Sequence, residues 1–200
     1  MVRRWLAGVL CLLALSGCGG PEMDEAEQLA LDALAKYLAS PGLTATLDIT
    51  ADYGDRVFDC RLGLDHTAGG ETRLTVVEPE LLRGVTARLK DGESLLEFDG
   101  AVLETGPLSP EGLSPLDCVP YLLNEMESGF LSQWGLTALD DTPCLQLTTI
   151  DPTLPEGEGM ACVIWLDREE FSLLRWELAV DGTTVLQGTV SEFVWKESGK

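Results

Sequence analysis

The sequence is poor in positive charge. Thirteen Lys and Arg stand against 34 Asp and Glu in 200 residues, for a formal net charge of -21 and a pI near 4.1. Phosphate backbones are held by clustered Lys and Arg, so this deficit excludes nucleic acid and other polyanions as ligands. It also argues against docking on an anionic bilayer through surface charge. Histidine is nearly absent. His66 stands alone between Asp65 and Thr67, which excludes a His-based zinc site and reads as a solvated turn residue. The nucleophile and phosphate-loop signatures GxSxG, SxxK, CxxC and GxxxxGK are missing. Acidic clusters occur at Asp140 with Asp141, Glu156 with Glu158, and Asp167 with Glu169 and Glu170. No calcium-binding loop surrounds them, so they read as solvated charge, and nothing singles out a carboxylate pair for glycoside chemistry. The chain reads as a non-enzyme with no metal or cofactor.

Long apolar runs are also lacking, with one short exception at the start. Residues 1–17 carry Arg3 and Arg4, then an apolar stretch from Trp5 to Leu15, then small residues. This is the layout of a secretory signal, and the stretch is too short to span a bilayer. Leu15, Ser16, Gly17 and Cys18 resemble a bacterial lipobox, in which the thiol of Cys18 takes a diacylglyceryl group and becomes the new N-terminus. Two acyl chains hold a protein to a membrane where one does not. Residues 18–23 are then a short tether, and residues 24–196 a single domain placed outside the cytoplasm and lipid-anchored to the cell membrane.

Cys11 is lost with the signal, leaving Cys60, Cys118, Cys144 and Cys162 in the body of the protein. An even number in an exported chain points to disulfides. Cys144 and Cys162 flank a loop rich in Pro and Gly and are the favoured pair. Buried free thiols are the alternative, while a zinc site would want paired CxxC spacing.

A helix is expected from Asp24, with Asp24 as N-cap, Glu27 three residues on, and Leu31, Leu34 and Leu38 on its apolar face beside Leu29, Ala33 and Tyr37. Ser40, Pro41 and Gly42 stop it. From Leu43 the period changes to two, and alternating segments recur, joined by turns such as Asp91-Gly92, Asp99-Gly100 and Asp181-Gly182. A second helix is expected from Ser114 to Gly129, bent at Pro120. The sum is an α+β domain: about ten antiparallel strands in a strongly curved sheet, with one leading and one central helix.

This order of elements, carried by residues 76–100 and 163–193, resembles the half-barrel of the periplasmic lipoprotein-carrier (LolA/LolB) superfamily. That superfamily includes anchored germination lipoproteins of spore formers. The resemblance implies an apolar concave groove able to take a lipid or lipopeptide acyl chain, with Leu116, Leu122, Met126, Phe130, Trp165 and Trp176 as candidate lining. The alternative for each residue is ordinary core. A lipid-binding lipoprotein is therefore the first expectation. A tethered scaffold that binds another exported protein is the second.

Overall fold

The computed structural model describes residues 24–90, 93–104 and 114–197. The signal, the tether and Cys18, with the Asp91-Gly92 turn and residues 105–113, lie outside the described residues. The chain runs α1 (Glu25–Ala39), β1 (Gly42–Asp52), β2 (Val57–Thr67), β3 (Thr72–Glu78), β4 (Thr86–Lys90), β5 (Glu93–Phe98), β6 (Ala101–Glu104), α2 (Cys118–Ser128), β7 (Phe130–Leu139), β8 (Thr142–Ile150), β9 (Met160–Asp167), β10 (Leu173–Val180) and β11 (Thr183–Trp195). All the strands form one antiparallel sheet in the order β6-β5-β4-β3-β2-β1-β11-β10-β9-β8-β7, which does not close. The α+β half-barrel expected from the alternating segments is the architecture observed.

Local chemistry explains the element ends. The Asp24 carboxylate accepts from the Glu27 backbone N–H at 2.7 Å and caps α1. Asp99-Gly100 and Asp181-Gly182 adopt positive φ at both residues and turn tight hairpins. Asp140 and Asp141 do the same between β7 and β8, so that acidic pair is turn chemistry. Asp167 accepts from the backbone N–H groups of Glu169 and Glu170 and shapes the β9–β10 turn.

The described strands number eleven, in keeping with the expected ten or so, with β7 added at one edge. Two local expectations about the helices are corrected. The buried face of α1 is Ala30, Ala33 and Tyr37, while Leu31 and Leu38 point to solvent. Pro120 does not bend α2, because the helix begins at Cys118 and places Pro120 in its first turn, where a missing N–H is harmless.

The core lies between the inner face of the sheet and the two helices. Leu43, Ala45, Leu47, Ile49 and Ala51 alternate inward along β1 and pack with Leu62 and Leu64 of β2, and with Ile164, Trp176 and Leu186 across the other half. The four described cysteines, Cys60, Cys118, Cys144 and Cys162, are free thiols, contrary to the expected disulfides. Cys144 sits opposite Asp167 and Cys162 opposite Thr149 in the β8–β9 register. That offset of five residues is about 17 Å along the strands, far beyond the ~7 Å Cα separation that a disulfide tolerates.

Candidate functional site

The inner face is where the expected apolar groove would open, and here it is occupied. Helix α2 turns Cys118, Val119, Leu122, Leu123 and Met126 onto it. Leu122 is 2% exposed, Met126 1% and Trp176 0%, all in one continuous core. The other candidates are placed elsewhere. Leu116 is half-buried in the turn that leads into α2 and packs against the rim of the core. Ile164 and Leu166 point inward, so Trp165 between them faces out, where the Arg175 guanidinium lies 5.6 Å from its ring centroid. Phe130 opens β7 beside Ile150, on the side opposite to Leu131 and Thr149, and is exposed. The structure thus brings three of the six together, as packed core.

The hollows of the surface are shallow. One of them, about 480 Å³, is open and lies on the outer face among Asp48, Thr50, Asp59, Glu78, Arg175 and Gln187. The guanidiniums at it are already paired: Arg61 donates to Asp48 at 2.7 Å and to Glu78 at 3.0 Å, and Arg175 to Glu177 at 2.6 Å and Gln187 at 3.0 Å. Exposed pairs of this kind are worth about 0–1 kcal/mol each. Their effect here is to use up scarce cations on the sheet's own carboxylates. A second hollow, of about 10 Å³, lies between α2 and the sheet, among Tyr37, Leu43, His66, Leu123, Glu127 and Trp195. It has room for about one water.

Three thiols gather near the start of α2, where Cys118 is within electrostatic range of Cys60 and Cys162. Burial pushes each thiol up, Cys60 to about 11 with help from Asp59 and Asp48. Thiolate is therefore scarce at neutral pH, and the cluster is chemically quiet. Among the described residues no group of three or more His, Cys, Asp or Glu side chains is placed to hold a metal ion. No described helix is long and apolar enough to cross a membrane.

His66 is not a solvated turn residue. It lies in β2, with Nδ1 2.8 Å from the Thr72 hydroxyl and Nε2 3.7 Å from a Glu127 carboxylate oxygen on α2. Burial lowers its pKa, opposed by Glu127 and assisted by Lys196, which donates to Asp65 at 2.6 Å. The folded state thus binds the imidazole proton less readily than the unfolded chain. Its stabilising effect is complete above the unfolded value of ~6.5 and is lost as pH falls through the lower folded value. Urea melts should show stability dropping as pH falls below the unfolded value of ~6.5, with a flatter profile for His66→Gln. Identical slopes for the two proteins would remove His66 as the cause.

No family model and no curated protein matches the chain. Solved structures do. An uncharacterized conserved protein from Thermus thermophilus is 13% identical, with 86% of this chain and 88% of that one aligned at a TM-score of 0.52. A LolA superfamily protein from Nitrosomonas europaea is 11% identical over 88% and 96% of the two chains, at 0.43. A chain from the complex of the CwlD amidase of Clostridioides difficile with the GerS lipoprotein is 14% identical over 88% and 99%, at 0.44. The likeness to the Thermus structure is one of fold. At these identities the likeness speaks for the frame alone. In this half-barrel the inner face is closed by α2, and the exposed apolar side chains lie elsewhere.

Proposed function

We propose that the chain is an exported lipoprotein, anchored through Cys18 on the outer side of the cell membrane, that works without catalysis by holding another exported protein. The observation that carries this reading is the filled inner face. Leu122, Met126 and Trp176 occupy the space in which an acyl chain would gain its burial energy. A closed frame on a short tether suits a docking protein better than a carrier, since an anchored chain does not travel between membranes. The acidic composition fits a protein partner and excludes nucleic acid.

The test has two arms. Native mass spectrometry of the unlipidated chain with added oleate is expected to show no stoichiometric acyl complex, and a one-to-one complex would overturn the reading. A Cys18→Ala variant is expected to leave the membrane fraction. Full retention there would remove the anchor.

A further inference from the structure

Large apolar side chains stand exposed at one end of the sheet, where three neighbouring connections meet. β1, β3 and β5 run toward this end and β2, β4 and β6 run away from it, so the β1–β2, β3–β4 and β5–β6 connections are adjacent. The first carries Tyr53, Val57 and Phe58, with the Tyr53 and Phe58 rings 6.0 Å apart. The second is a 3-10 turn, Glu80–Leu82, that holds Leu81 at 88% exposure with Leu82 beside it. The third carries Phe98. By register Phe58 is level with Ala51 of β1 and Phe98 with Leu47, so across the intervening strands, at about 4.8 Å each, and four residues along them these side chains make a staggered rim about 20–25 Å long. A cluster of this kind on a soluble domain marks a contact surface.

Charge and position say what it contacts. The rim is set among Asp52, Asp55, Asp59, Glu78, Glu80 and Asp99, against Arg56, Arg61 and Arg83. Each of those guanidiniums is already paired: with Asp55, with Asp48 and Glu78, and with Glu80. The surplus is negative and favours a basic partner. Glu25, at the start of α1, contacts Arg168 in the β9–β10 turn, so α1 begins at the opposite end of the sheet. The eleven residues of β1 put about 36 Å between the two ends, and the six residues 18–23 reach at most about 21 Å. The rim therefore points away from the bilayer that the proposed anchor would hold.

We infer that this rim is a docking surface for a basic, amphipathic segment of an exported protein, an inference that rests on the docking function proposed above. The probe is a short amphipathic helical peptide of Leu and Lys, with a Leu and Glu counterpart as its control. It is titrated against the chain from residue 19, which holds every described element and the whole core. The basic peptide is expected to bind and to weaken as salt is raised. Leu81→Ser with Leu82→Ser should reduce its affinity about tenfold or more, while Leu31→Ser with Leu38→Ser on α1 leaves it unchanged. Both pairs of side chains are exposed, so folding is not at stake, and thermal melts check this. Equal binding by the rim variant, binding of the acidic peptide, or rim-dependent binding to phosphatidylglycerol vesicles would each overturn the docking surface. Failure of the docking function is read separately, in the oleate experiment.

Discussion

A Leu122→Asp chain should fail to fold. If α2 were a lid over a groove, an acidic residue there would expel a ligand and leave the half-barrel standing. In the closed arrangement Leu122 is 2% exposed and packs into the same core as Met126 and Trp176. Removing the leucine side chain alone costs about 2–5 kcal/mol, and a carboxyl group placed in an apolar site without a partner adds at least about 2 kcal/mol more. The sum rivals the roughly 5–15 kcal/mol that holds a whole domain together. Leu122→Ala separates the two terms, because it leaves a cavity and no charge. It should remain folded with a midpoint lowered by about 4–20 °C, at ~2–4 °C per kcal/mol for a domain of this size. Circular dichroism melts of the two variants decide the matter. A cooperative, near-native transition for Leu122→Asp would mean that α2 lifts from the sheet, and would return the acyl-groove reading to first place.

The fold was readable in the sequence where local chemistry dictates geometry. Asp99-Gly100 and Asp181-Gly182 turn as their residue types require, and the alternation from Leu43 to Ala51 is the inner face of β1. β7 was not readable. It is an edge strand, and Phe130, Leu131, Trp134 and Leu136 with Gly135 give no clean alternation. The face of α1 was misread because leucine spacing suggested a stripe that packing did not choose. Ala30 and Ala33 let the helix approach closely, and Tyr37 reaches the Phe171 carbonyl at 3.0 Å with its ring 4.7 Å from that of Trp195. The candidate site divides the same way. Spacing on α2 shows that Leu122 and Met126 share a face, but whether that face lines a groove or fills a core depends on Trp176, fifty residues on and four strands away in the chain's order. Trp165 and Trp176 look alike in composition and are separated only by strand parity, one turned outward to Arg175 and the other inward to the helices.

Gly188→Ala, the smallest possible addition to the core, should cost about 3 kcal/mol because of Trp176. The two residues face each other across β10 and β11, and a Cβ on Gly188 would lie 2.6 Å from the indole Nε1, 2.7 Å from Cε2 and 2.9 Å from Cζ2. The clash falls on a rigid ring that is fully buried and has no free rotamer to retreat into, and overpacking of this sort costs about 1–3 kcal/mol or more. The indole N–H already lacks a hydrogen-bond partner there, so the site has no polar contact to preserve. The cause is separable from any general dislike of alanine in β11 by a double-mutant cycle. Trp176→Leu should itself cost about 3 kcal/mol through lost volume. In that background Gly188→Ala should become neutral or stabilising, since alanine loses less backbone freedom than glycine on folding. The coupling between the two changes is then on the order of 3 kcal/mol, at the top of the range seen for touching residues. Additive costs, measured by urea unfolding of the two single variants and the double variant, would show that Trp176 does not set the requirement for glycine at position 188.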